Sequence, residues 1–431
     1  MGNEASWVAV IALAFLLLGG VWVGLALVAA SVIALWWMGR DPLVVLAISF
    51  WGMGATWTIT ALPLFLWMGE ILLRTRMAAD LFRGLAPWLQ YVPGRLLHVN
   101  VLSCTIFAAV SGSSAATCAT IGRICVPELT KRGYPDSMVI GTLAGASTLG
   151  LLIPPSIIMI VYGVAADVSI GKLFIAGIVP GLMIALLFHG WVAWWGAINS
   201  NDIPCAEVEE KRDAIRTSLR ILPVLALISM VVVSIYTGIA TATEAAALGV
   251  LGSLLIAAAQ GSLGWRGLLE SINAAVRLYG MIALILFGSA YLTLAMGYLG
   301  LPRALAQWVS AQEFSPSGFL LAVALLYILL GCVLDGISMV VLTIALLLPA
   351  LKALDIDLLW FGVFAVILVE LAQITPPVGF NLFVLQGITR VRLGRIIRYA
   401  IPSFLILGLA LMGITVFPRM VTWLPTTMVG P

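Results

Sequence analysis

Residues 374–381 read ITPPVGFN and lie in the middle of a long apolar run. The two consecutive prolines remove two backbone donors, and each ring clashes with the preceding helical turn. A membrane helix therefore cannot pass through this pair intact. Inside a bilayer, broken backbone survives only where it is buried in protein or lines a polar cavity. An earlier apolar run contains the same device as Pro154-Pro155-Ser156, so the sequence predicts two broken membrane helices.

The composition is that of a membrane protein. Of 431 residues, 62% are hydrophobic and 10% are charged, whereas soluble domains are about half apolar and about a quarter charged. Apolar runs of about 18 residues or more recur along the chain, and each is long enough to cross a bilayer. We therefore predict an all-α polytopic membrane protein. The N-terminus lacks a basic segment, so we expect the first apolar segment to remain in the mature protein.

The two halves of the chain match at an offset of 222 residues. Four prolines of the first half coincide with four of the second: Pro127 with Pro349, Pro154 with Pro376, Pro155 with Pro377, and Pro180 with Pro402. At the same offset Ser113 falls on Asp335. Coincidence among similar apolar segments is the alternative, but we favour a repeat. The first repeat would span residues 1–198 and the second 221–431, joined by the polar cytoplasmic connection 199–220.

Each repeat is expected to hold a scaffold, a re-entrant hairpin and a broken helix. In the first repeat these are scaffold spans 6–38, an amphipathic arm 74–96, hairpin 97–130 and broken helix 137–165. In the second they are scaffold spans 221–260, hairpin 319–351 and broken helix 359–388. Other expected apolar segments are 43–72 and 278–299, the latter preceded by a polar connection containing Arg266.

The distribution of Lys and Arg residues along the chain predicts its topology in the membrane. If neither hairpin crosses the bilayer, each repeat has an odd number of spans, and the repeats are inverted. One face then receives sixteen Lys and Arg residues and the other receives five, with Arg123 left inside the first hairpin. The positive-inside rule makes the first face cytoplasmic. Both termini are therefore predicted to be periplasmic.

Inverted repeats with interrupted helices are typical of secondary transporters. Carbonyl oxygens freed at a break can replace the hydration shell of a cation, and helix N-termini favour a carboxylate. We expect one site per repeat, 111–114 with 145–156 and 335–336 with 370–381. The candidate Na⁺ ligands are Ser111, Ser113, Gly145, Ser147, Thr148, Pro154, Asp335, Gly336, Thr375, Pro376 and Gly379. The candidate substrate-binding residues are Ser114, Ser156, Asn381 and Arg123.

Each of these residues also has a structural alternative. Asp335 and Glu370 are carboxylates in apolar runs, which is costly and usually functional, but either could cap a helix or form an ion pair. Serine and threonine hydroxyls within helices often bond their own backbone. Arg123 could bind a substrate carboxylate in a bidentate manner, neutralise Glu128 or reach the membrane interface.

Several quoted segments resemble the large membrane subunit of the tripartite ATP-independent periplasmic (TRAP) transporters, the DctM-like family. They are FAAVSGSSAAT at 107–117, GLLIPPS at 150–156, IGKLFIAGIVPG at 170–181, Leu334-Asp335, and ITPPVGFNLFV at 374–384. Many members of that family carry an aspartate near the position of Thr117, and this chain does not.

The resemblance implies the ion-transporter-superfamily fold and an elevator-type movement of a domain that holds both hairpins. It implies uptake of an organic acid, such as a C4-dicarboxylate, a sialic acid or a 2-oxo acid, across the bacterial inner membrane, driven by Na⁺. The implied partners are a small four-helix membrane subunit and a periplasmic substrate-binding protein. Nothing in the sequence predicts a nucleic-acid partner.

Three other functions are weaker alternatives. A standalone anion or dicarboxylate transporter of the same superfamily would need no binding protein. A channel is disfavoured because the interruptions form two inverted sites rather than a ring. Enzymes are not expected: an intramembrane hydrolase using Ser113 and His189 lacks a supporting motif, the two histidines lie far apart in sequence, and no phosphate-binding loop is present.

Overall fold

The computed structural model describes residues 2–204, 211–302, 304, 307, 315–332, 334–376 and 379–428, and within these ranges every regular element is a helix. We number the helices in chain order. They are α1 Gly2–Leu18, α2 Val23–Trp37, α3 Pro42–Gly54, α4 Ala61–Leu73, α5 Met77–Leu89, α6 Leu97–Ser111, α7 Ser114–Lys131, α8 Asp136–Ala146, α9 Ile157–Ala166, α10 Ile170–Ile198, α11 Lys211–Ser218, α12 Leu222–Tyr236, α13 Ala242–Ala259, α14 Trp265–Leu299, α15 Pro316–Leu330, α16 Gly336–Ala353, α17 Leu358–Gln373, α18 Phe380–Thr389, α19 Leu393–Val416 and α20 Arg419–Thr426. Short 3-10 turns lie at Trp57–Thr60, Ser147–Leu151, Ser200–Asp202 and Leu219–Ile221.

Within the described residues, six helical stretches are long and apolar enough to cross a membrane. They are α10, the continuous stretch Ile215–Tyr236, α13, α14, α16 and α19. A seventh is formed if α3 and the stretch Trp57–Leu73 count as one span, although the two halves are bent by 63°. The sequence predicted one uninterrupted segment at 43–72, because the apolar residues run through the bend without a proline pair to mark it.

Helix α14 corrects another boundary. The sequence placed Arg266 in a polar connection and began the span at residue 278, but α14 begins at Trp265. Arg266, Glu270 and Arg277 are all exposed, and their spacing puts them on one side of a helix with 3.6 residues per turn. The charged residues therefore continue the helix on its polar face rather than ending it.

Two helix pairs lie where the hairpins were expected, and two interrupted helices lie where the breaks were expected. Helices α6 and α7 pack together across the two-residue turn 112–113, and α15 and α16 are joined by residues 331–335. Residues 147–156 separate α8 from α9, and 374–379 separate α17 from α18. The repeat, its inversion and the re-entrant character of the hairpins stay predictions, as do the domain boundaries.

Two helices of the predicted scaffold, α2 and α13, pack closely on α14 and α4 respectively. Helices α2 and α14 meet through glycines, because a Cβ atom added at Gly288 would lie 2.7 Å from the carbonyl oxygen of Gly24. Small residues allow membrane helices to approach this closely. Helix α4 contacts both α13 and α6, and α14 also contacts α16. Helices α4 and α14 therefore touch the first helix of one hairpin and the second helix of the other.

Helix α17 lies at the centre of the remaining bundle. Every residue from Trp360 to Ala372 is buried, and a helix that is apolar on all sides belongs in the interior. Its neighbours are α9, α10, α15, α16, α18, α19 and α20, with the 3-10 turn 147–151. The second break, 374–379, follows directly from the end of this central helix.

Candidate functional site

The turn of the first hairpin lies directly against the first break. Gly112 ends α6 with φ +57°, a conformation that glycine adopts without steric cost. A Cβ atom there would lie 2.9 Å from the Pro155 carbonyl oxygen, and Ile157 N–H donates to Gly112 O at 3.4 Å. From the other side, a Cβ atom on Gly150 would lie 2.7 Å from Ser113 O. The segments 111–114 and 145–156 are thus in contact.

The hydroxyls of this turn form a small network. The Ser111 and Thr117 oxygens lie 2.7 Å apart, and Thr117 Oγ1 donates to Ser113 O at 2.9 Å. Ser113 Oγ caps α7 by accepting from Ala116 N at 3.4 Å. Thr117 was not among the candidate ligands, although it closes the network. Its place one helical turn after Ser113 is the sequence signal that could have identified it.

The other candidates of the first half bond their own backbone. Ser147 Oγ donates to Ala144 O at 3.3 Å and Thr148 Oγ1 donates to Gly145 O at 2.7 Å. Ser156 caps α9 by accepting from Met159 N at 3.3 Å, and its hydroxyl also donates to Leu151 O. All three hydroxyl residues are buried. Pro154 is also buried, within the break itself.

In the second half, Asp335 caps the first turn of α16. Its Oδ2 accepts from Ile337 N at 3.1 Å and from Ser338 N at 3.2 Å, and its Oδ1 accepts from the Ser338 hydroxyl. The next residue, Gly336, is buried against α17: an added Cβ atom would lie 2.9 Å from Gln373 Nε2. The turn of the second hairpin therefore touches the end of α17.

The second break closes tightly after α17. Thr375 Oγ1 donates to Leu371 O at 2.6 Å, and the exposed Pro376 follows. Gly379 has φ +30°, and an added Cβ atom would lie 2.9 Å from Thr375 O and 3.1 Å from Gln373 O. Pro377, which belongs to the predicted break, lies outside the described residues.

One hydrogen bond joins the two halves directly. Asn381 Nδ2, at the start of α18, donates to Ser114 Oγ, at the start of α7. Both residues are buried. Among the described residues, Asn381 Oδ1 and Gln373 Oε1 have no hydrogen-bond partner. Gln373 was missed as a candidate, although it is a polar residue in an apolar run, two residues before Thr375.

Both hairpin turns line one cavity of about 370 Å³. The first turn contributes residues 112–115 and the second contributes 335–337. Residues 157 and 158 of α9, Phe380 of α18, and Leu278 and Met281 of α14 also line it. Gln373 also lines the cavity. The N-termini of α7, α9, α16 and α18 therefore all reach the same space.

This arrangement favours an anion. A helix N-terminus has N–H groups without partners inside the helix and carries the positive end of the helix dipole, and four of them meet here. At three of the four, a side-chain cap takes up one or two of these N–H groups. The described lining residues include no lysine or arginine, and Asp335 is the acidic residue among them. Backbone amides rather than basic side chains would thus receive an anionic group.

Arg123 is not brought to this cavity. It is exposed and lines a separate cavity of about 710 Å³ with Asp136 and Thr389. It follows Ser114 by nine residues in α7, which is about 13.5 Å along a helix. Glu128, one of its expected partners, instead pairs with Arg132 at 2.9 Å. That structural alternative for Arg123 is wrong.

The two histidines, far apart in sequence, are neighbours in the structure. His98 Nδ1 and His189 Nδ1 lie 2.8 Å apart, and His98 Nε2 lies 2.7 Å from Pro93 O. Because His98 Nε2–H must donate to that carbonyl, His98 Nδ1 accepts from His189 when both rings are neutral. The described contacts of Ser113 are with the first hairpin and the first break, so the hydrolase pairing of Ser113 with His189 gains no support.

The family model for the tripartite ATP-independent periplasmic transporter, DctM component, matches residues 10–420. The chain belongs to the DctM family. It is the large permease of a tripartite transporter, a multi-pass membrane protein of a bacterial transporter family, and not an enzyme.

Two relatives illustrate the range of this family. The chain is 33% identical over 374 residues to the C4-dicarboxylate TRAP transporter large permease protein DctM of Pseudomonas aeruginosa, covering 86% of each protein. It is 30% identical over 376 residues to the ectoine TRAP transporter large permease protein TeaC of Halomonas elongata, covering 85% of this chain and 86% of that protein. Relatives in the family are thus named for different substrates.

The fold also resembles a solved structure, the crystal structure of the Alcanivorax borkumensis YdaH transporter. The TM-score is 0.64 at 16% identity, over 90% of this chain and 89% of that one. At this identity the similarity concerns the fold. It agrees with the predicted all-α polytopic membrane protein.

Proposed function

We propose that this DctM-family permease takes up an organic acid by coupling its transport to Na⁺, and that the substrate carboxylate binds in the cavity between the two hairpin turns. The observation that carries the proposal is the convergence of the N-termini of α7, α9, α16 and α18 on that cavity. Helix N-termini of this kind receive anions in transporters with interrupted helices.

The acidic residue in the cavity wall supports a coupling cation. Asp335 uses its carboxylate to cap α16, yet the side chain remains exposed. A substrate carboxylate entering the same cavity would repel Asp335, so a bound cation between them would favour binding. Oxygen ligands are present at the second break, where the carbonyl oxygens of Gln373 and Thr375 face Gly379, and the Gln373 side chain contacts Gly336 beside Asp335. The candidate Na⁺ ligands at both turns remain part of this proposal.

A carboxylate is the substrate group that the named relatives share. C4-dicarboxylates carry two carboxylates, and ectoine carries one. The cavity of about 370 Å³ lies at the lower end of the usual range for small-molecule sites, which is about 300–1,000 Å³. We therefore propose a small organic acid, with Ser114, Ser156 and Asn381 near its binding site.

The remaining components follow from membership in a tripartite system. We propose a periplasmic binding protein that delivers the substrate, a small four-helix membrane subunit beside the scaffold, and an inner-membrane location with both termini periplasmic. The bundle around α17 would move as an elevator past α4 and α14, which touch α6 and α16. A moving bundle would carry the cavity from one face of the membrane to the other.

Reconstitution tests the proposal. The permease, its small subunit and its binding protein would be placed in proteoliposomes and supplied with a panel of organic acids, with an inward Na⁺ gradient or an equal K⁺ gradient. We expect saturable uptake of one class of carboxylate only with Na⁺. Equal uptake in both gradients would refute Na⁺ coupling, and uptake without the binding protein would favour a standalone transporter.

The variant Asp335→Ala isolates the cation site. It removes the carboxylate, so we expect Na⁺-dependent uptake to be lost while membrane insertion persists. Asp357→Ala is a matched control, because Asp357 caps α17 in the same way, accepting from Leu359 N at 2.7 Å and Trp360 N at 3.1 Å, but does not line the cavity. Full Na⁺-dependent uptake by Asp335→Ala would remove Asp335 from the cation site, and an equal loss in both variants would indicate a capping role only.

A further inference from the structure

Glu370 is a buried carboxylate that the proposed transport site does not use. It lies in the last turn of α17 with no exposed surface, and neither carboxylate oxygen has a hydrogen-bond partner among the described residues. Glu370 does not line the cavity of the hairpin turns, although Gln373, three residues later, does. An ionised carboxylate in such a place would be strongly unfavourable unless a cation accompanied it.

The helices packed around α17 supply no such partner. The titratable or charged groups that they carry, all among the described residues, are Tyr162, Lys172, His189, Tyr327, Lys352, Arg395, Arg398, Tyr399 and Arg419. Tyr162 donates to Leu358 O, Tyr327 bonds Thr343, and His189 bonds His98. None of the nine lies within hydrogen-bonding or ion-pairing distance of Glu370. The segment 331–335 also packs against α17, at Ala372, and its Cys332 and Asp335 bond other groups.

The surroundings of Glu370 suit a proton better than a metal ion. A sodium ion needs several oxygen ligands to replace its water, whereas a proton binds one oxygen. One turn earlier on α17, Val366 and Ile367 are fully buried apolar residues, and the carbonyls of a helix interior are already used in the helix. One turn later on the same side of α17, Gln373 lines the cavity, and its Oε1 atom also has no hydrogen-bond partner among the described residues.

We propose that Glu370 is a proton-binding site: it is neutral while buried, takes up a proton through the cavity lined by Gln373 when that cavity faces the periplasm, and releases it when the cavity faces the cytoplasm, so that one proton enters with the substrate. The sequence offset of 222 pairs Glu370 with Thr148, just as it pairs Asp335 with Ser113. Both acids therefore occur in the second half, opposite hydroxyls in the first. This inference rests on the proposed transport function for its coupling, but the protonation of Glu370 can be measured without transport.

Infrared spectroscopy measures the protonation directly. The full chain would be reconstituted in lipid at neutral pH, and the carbonyl band of protonated carboxyl groups recorded for the wild type, Glu370→Gln and Glu70→Gln. Glu70 is the control, because it is ion-paired with Arg74 at 2.5 Å. We expect the band in the wild type and in Glu70→Gln but not in Glu370→Gln. Absence of the band in the wild type overturns the proposal even if a variant does not fold.

Substrate uptake under a proton gradient measures whether transport is coupled to the proton of Glu370. The Na⁺ gradient is held constant, and a difference of one pH unit, acidic outside, is applied across the membrane. The proton activity then differs about tenfold between the two sides, so one coupled proton raises the limiting accumulation of substrate up to about tenfold. We expect this response in the wild type and Glu70→Gln and its loss in Glu370→Gln. An unresponsive wild type, or a Glu370→Gln variant that responds as the wild type does, overturns the coupling.

A carboxylate band of Glu370 that shifts with Na⁺ would assign a sodium site instead. If Na⁺ itself drives no uptake but the protonated band is present, only the function proposed above fails.

Discussion

Removing the hydrogen bond from Asn381 to Ser114 tests most directly whether this bond holds the two halves of the chain together. Ser114→Ala removes the acceptor of a buried amide whose Oδ1 already has no partner among the described residues. Leaving a buried polar group unpaired costs about 1–3 kcal/mol. We expect Ser114→Ala to lower the free energy of unfolding by that amount, because the amide cannot reach water from its buried position.

A double-mutant cycle separates the bond from the other effects of each substitution. The second variant is Asn381→Leu, which removes the amide and keeps the branched shape and the number of heavy atoms of the side chain, and the third combines both changes. Unfolding would be followed in mixed detergent micelles by circular dichroism. If the bond exists, the double variant is less destabilised than the sum of the single variants, by about 1 kcal/mol.

The control variant removes an exposed hydroxyl, and additive effects of the two single substitutions would refute the bond. Thr415→Ala removes an exposed hydroxyl that bonds its own helix at Leu411 O, 2.8 Å away, so its effect should stay within about 0.5 kcal/mol. If the effects of Ser114→Ala and Asn381→Leu add to within about 0.3 kcal/mol, the two side chains are independent. The first hairpin and the second broken helix would then not be joined by this bond.

Two further predictions concern packing and topology. Gly150→Ala should destabilise the protein by about 1–3 kcal/mol, because the new Cβ atom would lie 2.7 Å from the backbone oxygen of Ser113. Gly280→Ala should be neutral or stabilising, because no atom of the described residues outside its own helix lies within 4 Å of the new Cβ atom. Equal thermal shifts for the two variants would contradict the packing. Reporter fusions at positions 205 and 425 should report the cytoplasm and the periplasm respectively, and a reading on the same side for both would contradict the inverted topology.

The positions of the breaks were accessible from the sequence, and the bend in the α3–α4 segment was not. Pro154 and Pro376 lie within interruptions of helical structure, as the loss of backbone donors requires. The bend between Gly54 and Trp57 has no such marker. Packing against neighbouring helices can bend an apolar segment without leaving a signal in its own residues. The start of α14 was assigned to a connection for a different reason, because its exposed charged residues lie on one face of a helix that continues through them.

Sequence reasoning likewise identified some residues of the candidate site and misplaced or missed others. Asp335 and Ser113 were chosen because polar groups at helix breaks are costly in a membrane, and both hairpin turns do line one cavity. The choice of Arg123 followed from charge alone, which says nothing about which cavity a side chain faces. Thr117 and Gln373 were missed because their importance depends on what they contact.

The sequence by itself determined that the chain is an all-helical membrane protein and where its helices are interrupted, because hydrophobic length and the chemistry of proline and glycine act over a few neighbouring residues. Only the tertiary structure decided that four helix N-termini meet at one cavity, that Asn381 reaches Ser114, and that Glu370 is enclosed without a partner among the described residues. These are contacts between segments up to 267 residues apart, and they depend on how whole helices pack.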